Sequence, residues 1–469
     1  MSPLSGRDPF ITQLGKFTYA RGGNNLGDEI CSDVVVDEKF ETSYCLGSTN
    51  GSLAKPVDGA RDAFIAKFDR KGKLLWVKQY SSSDGRKDGC TSGGIDQDGN
   101  IYCGGSTNGM MSSSPEWYDT GDIRDSSDTD NDAFIMKLNP DGDVIWIKQF
   151  GTSKEDFCGN LAVSPSGNSY CGARTTGALG DDNFGDPEGH VPNVDIVSGL
   201  DLNFDAYIAK FDTNGNLLWK RQIGTAGYTD EADYADICSG IAIDAEENVT
   251  CTGFTLGSLV EPNGGGEDLI LWSFTKDGNE RFLKQLGQNS EAQFSFLNST
   301  LRSDQGYDVA TDPRGNIYVA GFTTSDLLGG NTDLKQDSFL LKFDIDGNLI
   351  RGAQAHFAGN QSVQALTVTS NEEPIILAYT DSDAYGPVGG GGDIFVVKLK
   401  SDFSYAWTKQ FGADSGLDSA GTESAAGITL DKAGNIYIGG STSGNFGETN
   451  ASANNDMFVL RMTKSGDFK

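Results

Sequence analysis

The phrase "GNIYCGGST" occupies residues 99–107, and it returns along the whole chain. It comes back as "GNSYCGART" (167–175), "ENVTCTGFT" (247–255), "GNIYVAGFT" (315–323) and "GNIYIGGST" (434–442), with looser copies at 42–49 and 373–380. All seven copies end in threonine: Thr49, Thr107, Thr175, Thr255, Thr323, Thr380 and Thr442. A second phrase follows each one. "DAFIAKFDRKGKLLWVKQ" (62–79) is echoed by "DAFIMKLNPDGDVIWIKQ" (132–149) and "DAYIAKFDTNGNLLWKRQ" (205–222). More divergent copies open at Asp268, Asp337, Asp393 and Asp456.

Internal repetition at this spacing decides the fold before anything else does. Each unit reads as four short strands. Strand A precedes the D-x-x-G-N turn, strand B is the "NIYVAG" type, strand C is "DAFIAKF" and strand D is "LLWVKQ". β-Branched and aromatic residues fill the strands, and Asp/Asn-Gly pairs punctuate them. Four-stranded units in series predict an all-β, seven-bladed β-propeller of antiparallel blades. The blades span 28–80, 86–151, 154–224, 234–287, 303–356, 361–412 and 421–463. Strand D carries an aromatic-x-x-Gln signature, as at Trp76 with Gln79, and the seventh unit lacks it. "DPFITQLG" near the N-terminus carries Phe10 and Gln13 at that spacing, so residues 9–15 are expected to complete the seventh blade. A ring sewn shut this way removes two exposed edges.

The repeats resemble the bacterial seven-bladed β-propeller (SBBP) repeat family. The matching pattern is I-A-x-D-x-x-G-N-I-Y-V-x-G-x-T followed by D-A-F-I-x-K-F-D. The resemblance implies a surface or secreted bacterial protein and brings no catalytic residues with it. The D-x-x-G-x-x-x-W spacing also resembles the docking-tryptophan repeat of quinoprotein dehydrogenases. That likeness implies that Trp76, Trp146 and Trp219 pack between blades.

The eight cysteines fall at two equivalent repeat positions. Strand A holds Cys31, Cys90, Cys158 and Cys238; strand B holds Cys45, Cys103, Cys171 and Cys251. Each unit has both or neither, a match that independent placement gives about once in 35. Four disulfides across the A–B hairpins are expected: Cys31–Cys45, Cys90–Cys103, Cys158–Cys171 and Cys238–Cys251. Such bonds persist in oxidising compartments, which points to a secreted, surface or periplasmic protein. The first residues, "MSPLSGRDPFITQLG", lack the apolar core of a signal peptide, so the numbering starts after processing, export takes another route, or the protein stays inside.

Across its 469 residues, 67 acidic against 36 basic side chains give a net charge of −31. Such a charge opposes nucleic acid and anionic membrane as partners. No apolar run is long enough to span a bilayer. Two histidines in unrelated contexts, His190 and His356, weaken any histidine-based catalytic or zinc chemistry.

Recognition is expected where length gathers. D–A and B–C connections share one face of a propeller, and the longest segments are B–C loops at 108–131 and 176–204 and a D–A loop at 287–305. Trp117 and Tyr118 lie in the first of these, as binding anchors or as a cover for neighbouring strands. Asp122, Asp125, Asp128, Asp130 and Asp132 alternate through the same loop and can wrap calcium, although the glycine and bidentate glutamate of a full calcium loop are missing. A solvated acidic loop is the plainer alternative. Glu29, Asp88, Asp156, Asp236, Asp304 and Glu423 enter strand A, where they form an acidic ring on the channel or cap backbone inside their own blades.

These features suit a non-catalytic, extracellular binding or structural propeller, adhesin-like or part of a surface assembly. Its partner is a protein or glycan at the long-loop face. Two alternatives stand beside it: a metal-assisted carbohydrate-active enzyme, lyase or hydrolase, using an acidic central channel, and a self-assembling filament subunit.

Overall fold

The structure, a computed structural model, describes residues 27–468 except 59, 83–84, 114–115, 118–129, 153, 180–203, 226–234, 264–265, 288–302, 326, 329–335, 356–360, 381–392, 413–422 and 444–454. The described residues form seven sheets, antiparallel except for one two-residue strand added to the second, and no helix. Blade 1 shows the plan, with strands at Glu29–Asp37, Thr42–Thr49, Asp62–Asp69 and Leu74–Tyr80 paired in chain order. Five further blades repeat these four strands, and blade 7 contributes Glu423–Leu430, Ile436–Thr442 and Asp456–Met462. The expected closing strand at 9–15 lies outside the described residues.

Strands B and C are sandwiched between neighbouring blades, so they are buried on both faces and read as continuous apolar runs. Every residue of Thr42–Thr49 and of Asp456–Met462 is buried. Strand D is outermost and half exposed; Leu75, Ile145, Leu218 and Ile350 are 49%, 52%, 53% and 53% accessible.

The core is divided into seven clusters, and each straddles one junction between adjacent blades. The cluster that joins the last blade to the first packs Tyr437, Met457 and Val459 against Cys31, Val34 and Phe64. The Glu29 N–H donates to the Asn455 carbonyl at 2.8 Å. The ring is therefore closed by side-chain packing and backbone bonding between blades 7 and 1.

Junctions are built from a repeated exchange at the C–D turns. Trp146, Trp219 and Trp407 each donate an indole N–H to a carbonyl in the next blade's turn: Thr213 at 3.1 Å, Lys276 at 3.0 Å and Lys464 at 3.3 Å. Their rings lie on Gly215, Gly278 and Gly466, whose φ values of 78°, 81° and 85° suit glycine. Blade 6 has Phe403 at this turn position, with φ 64°, and the facing residue in blade 5 is Arg351. Arg351 donates to the Asp402 carbonyl at 2.7 Å and lies over the Phe403 ring. The aromatic and its partner have changed sides.

Strand C carries a buried lysine, the K of the D-A-F-I-x-K-F-D pattern. Lys137 reaches the Thr213 carbonyl at 3.2 Å, pairs with Asp96 at 3.3 Å and lies over Tyr102. Lys210 and Lys342 repeat the arrangement over Tyr170 and Tyr318, with Glu247, and with Asp312 and Glu372, as counter-charges. Each buried cation is paired, as burial requires.

All four disulfides are present: Cys31–Cys45, Cys90–Cys103, Cys158–Cys171 and Cys238–Cys251. They cross A–B hairpins at Cα separations of 5.7, 5.7, 5.5 and 5.8 Å.

Candidate binding face

Strand B ends, strand C begins, strand D ends and strand A begins on one face of the ring. A repeated polar network binds these ends together. Its first element joins strand C to strand D. The Gln79 amide donates to Asp62 at 3.2 Å, and Gln149, Gln222, Gln285, Gln354 and Gln410 donate to Asp132, Asp205, Asp268, Asp337 and Asp393 at 2.7–3.0 Å. These glutamines act within a blade, because the C–D hairpin register sets Gln79 opposite Phe64, two residues from Asp62.

The same amide holds the root of the B–C loop. Gln149 donates to the Gly109 carbonyl at 2.8 Å and accepts from the N–H groups of Met111 and Ser112 at 2.9 and 3.2 Å. Gln222 holds Gly177 and Leu179 at 2.9 and 2.8 Å, and Gln285 holds Gly257, Leu259 and Val260. The strand-ending threonines add a turn of their own: Thr49, Thr107, Thr175 and Thr255 accept from the N–H two residues on, each at 2.9 Å.

The second element ties strand A to this face. Glu29, Asp88, Asp156, Asp236, Asp304 and Glu423 are 0–2% exposed. Thr49, Thr107, Thr175 and Thr442 donate to Glu29, Asp88, Asp156 and Glu423 at 3.0, 2.5, 2.5 and 2.9 Å, and Thr323 donates to Asp304. The second oxygens of Asp88, Asp156 and Asp236 take both the N–H and the hydroxyl of Ser82, Thr152 and Thr225. These six carboxylates are buried; threonines that end strand B engage them in five blades, and the D–A connections of blades 2 to 4 engage three of them. Burial lifts Glu29 to about 7, with Asp456 and Asp28 adding to it, and lifts Asp88 and Asp236 to about 6.

Two other strand A carboxylates stand apart from this set, and nothing in the repeat marks them out among the acidic residues. Asp33 and Asp308 follow the bulge of strand A in blades 1 and 5 and are partly open. Ser92, Gly240, Ala365 and Gly427 hold the matching position in blades 2, 4, 6 and 7. Asp33 accepts from Val34 N at 2.7 Å and, in the next blade, Gly93 N at 2.8 Å. Asp308 accepts from Val309 N at 2.8 Å and Leu366 N at 2.6 Å, so each acid also links two blades. Burial raises Asp33 to about 6 and Asp308 to about 7, and the charge on Asp33 adds to the second.

Of the residues expected to bind calcium, Asp122, Asp125 and Asp128 lie outside the described residues. Asp132 is buried and accepts from Gln149 at 2.7 Å, so the repeat network engages it. Asp130 is described and half-buried. Trp117 belongs to a two-residue strand, Glu116–Trp117, that pairs parallel with Phe150 and Gly151 at the outer edge of blade 2. The first long B–C loop thus lies along its own blade here. Tyr118 lies outside the described residues. Among the described residues no group of three or more His, Cys, Asp or Glu side chains is placed to hold a metal.

The A–B turns on the opposite face are closed by their own aspartates. Asp96 accepts from Asp98 N and Asn100 N at 3.0 and 2.9 Å and from the Asn100 amide at 2.8 Å; Asp244, Asp312 and Asp431 repeat this with Asn248, Asn316 and Asn435.

The molecule is a closed, disulfide-braced β-propeller whose loops rise from one stapled face. Within that class, the SBBP profile, described as a beta-propeller repeat, matches residues 145–181, 282–329 and 406–447. The regulatory protein FlaEY of Caulobacter vibrioides is 26% identical over 313 residues, 62% of this chain and 30% of that protein. An uncharacterised WD repeat-containing protein of Acanthamoeba polyphaga mimivirus is 27% identical over 154 residues, 32% of this chain and 10% of that one. The chain thus spans under a third of the length of these curated relatives. Among solved structures, an ulvan lyase of a new polysaccharide lyase family has a TM-score of 0.49 at 11% identity, covering 95% of this chain and 96% of that one. A protein of unknown function from Bacteroides caccae has a TM-score of 0.36 at 13% identity, covering 74% and 90%.

Proposed function

We propose that this chain is a non-catalytic recognition propeller of an oxidising, extracytoplasmic setting, and that it binds a protein or glycan through the B–C loops of one face. The observation that supports this reading is the glutamine staple. The same amide in five blades fixes the first residues of the B–C loop to the blade beneath it. Loops of very different length therefore start from the same rigid root, the arrangement a binding surface needs. Four disulfides suit an oxidising environment.

The test exchanges one loop. Residues 181–203 are replaced by a short Gly-Ser turn, which leaves Leu179 and Gln222 in place. Wild type and variant are compared on a glycan array and on bacterial envelope preparations. Binding by the wild type that falls at least roughly tenfold in the variant, with the thermal midpoint kept, supports the reading. Equal binding by both removes the B–C face from the account.

A second reading has one observation in its favour. Asp33 and Asp308 are carboxylates raised by burial that are not copied in every blade, as catalytic acids are not. Release of unsaturated or reducing sugar ends from an acidic polysaccharide, abolished by D308N, would establish an enzyme instead.

A further inference from the structure

One cation at the binding face lacks the partner that the strand C cations have. Lys67 donates to the Pro140 carbonyl at 2.9 Å, and Lys137, Lys210, Lys342, Lys398 and Arg461 each pair with a carboxylate. Arg174, near the end of strand B in blade 3, is half-buried, and among the described residues its guanidinium makes no hydrogen bond and no ion pair. Its Nε is shut from solvent without a partner. Two rings hold it instead. The guanidinium centre lies 4.8 Å from the Phe157 ring and 4.6 Å from the Phe204 ring. The register explains the stack. The Phe157 N–H donates to the Arg174 carbonyl at 3.2 Å, and Arg174 stands opposite Ala206, two residues past Phe204. All three side chains therefore share one face of the blade. Burial pulls the guanidinium below its usual value and Glu155 opposes this, while the Glu155 carboxylate accepts from Asn131 at 2.6 Å.

A cation half removed from water without a counter-charge is costly. The repeat does not require one here. The residue before the strand-ending threonine is Ser48, Ser106 and Ser441 in blades 1, 2 and 7, and Phe254, Phe322 and Tyr379 in blades 4, 5 and 6. Arg174 is thus particular to blade 3, and it stands on a strand just before the root that Gln222 holds at Gly177 and Leu179. A guanidinium whose plane is set by two rings offers a fixed fork of N–H donors, which matches a carboxylate. We propose that Arg174, between Phe157 and Phe204, is the subsite that receives the carboxylate of a uronic acid residue in a glycan of mixed neutral and acidic sugars. This rests on the recognition reading above and names the ligand class for it. Sparse charge on the ligand follows from the surroundings. Residues 176–204 hold six acidic side chains and no lysine or arginine. A dense polyanion or an acidic peptide is repelled there, whereas one carboxylate on a hydroxyl-rich, otherwise neutral chain is not.

The full-length protein is titrated with sodium galacturonate, with galactose and with N-acetylglutamate amide, and binding is followed by ligand-observed NMR. Saturable binding of galacturonate in preference to the other two, weakened at least roughly tenfold by R174M, supports the subsite. Methionine keeps the space between the rings filled, and the thermal midpoint reports whether R174M is folded. Where the midpoint drops, the contrast between galacturonate and galactose on the wild type decides alone. Equal affinity for the two sugars, equal galacturonate binding by wild type and folded R174M, or no saturable galacturonate binding overturns the proposal. Preference for the glutamate amide overturns it as well, because the ligand is then an acidic peptide. The two readings fail separately. Array binding that is lost on exchange of residues 181–203 but kept by R174M removes the subsite and leaves the recognition face. Galacturonate binding through Arg174, with array binding indifferent to that loop, keeps the subsite and removes the loop.

Discussion

At the scale of single residues, the glutamine staple concentrates several interactions in one side chain. Gln222 makes hydrogen bonds to Asp205, to the Gly177 carbonyl and from the Leu179 N–H. Q222A removes all three inside a buried site, and a loss of about 2–4 kcal/mol is expected. Urea midpoints measure it, and a loss under about 0.5 kcal/mol would contradict the structure. The swap between blades 5 and 6 makes a paired test. R351W alone brings an indole against Phe403, while R351W with F403G restores the tryptophan-on-glycine contact of the other junctions. A double-mutant cycle is expected to show about 0.5–1.5 kcal/mol of favourable coupling. Additivity would mean that the two residues do not act on each other. Much of the residue scale was hidden in the sequence. The repeat shows that Asp62 and Gln79 matter, yet their partnership depends on a strand register that spacing alone does not supply. Asp33 and Asp308 look like any other acids, and only the bulge in strand A brings them against backbone N–H groups of the next blade.

At the scale of the hairpin, the sequence was read more easily. Cysteines at two matched positions, both present or both absent, fix the pairing because the A–B turn leaves little choice of neighbour. Each bridge spans 13 or 14 residues, and closing such a loop stabilises by roughly 3 kcal/mol in the chain-entropy model. The bridges also fill space between blades. A Cβ on Gly104 would lie 2.9 Å from Cys158 Sγ, and one on Gly172 2.8 Å from Cys238 Sγ. Reduction is therefore expected to loosen the first four blades selectively. After dithiothreitol, amide exchange should rise in the A–B hairpins at 29–49, 88–107, 160–175 and 236–255 and stay near its starting value at 304–323 and 423–442. A uniform rise, or none, would show that the bridges do not carry local stability.

At the scale of the molecule, the ring gathers buried acids. Glu29 and Asp308 are raised to about 7, and Asp33, Asp88 and Asp236 to about 6, in each case by burial first. A carboxyl raised on folding binds its proton more tightly in the native state than in the unfolded chain. Its stabilising effect is full below the unfolded value near pH 4 and is lost as pH rises through the native value. The net charge of −31 acts in the same direction. Asp143, Asp344 and Asp402 are lowered by hydrogen bonds in exposed turns and oppose the trend weakly. The thermal midpoint is thus expected to fall between pH 5 and pH 8, followed by circular dichroism; a midpoint that rises over this window would refute the burial of these groups. The circular architecture itself was legible, because seven repeats of alternating polarity leave few other ways to cover both faces of strands B and C. The functional face was legible only as a place. Its loops differ in length and composition from blade to blade, so repetition says nothing about what they hold.

The bridges have one more consequence, which concerns the order of assembly. Every cystine joins neighbours within a single hairpin, and all four lie in consecutive blades ahead of the three that have none. A chain that folds from its amino end under oxidising conditions can lock each hairpin as it forms, without waiting for distant partners. The leading half then arrives covalently set, and the trailing half can fold against it as a template.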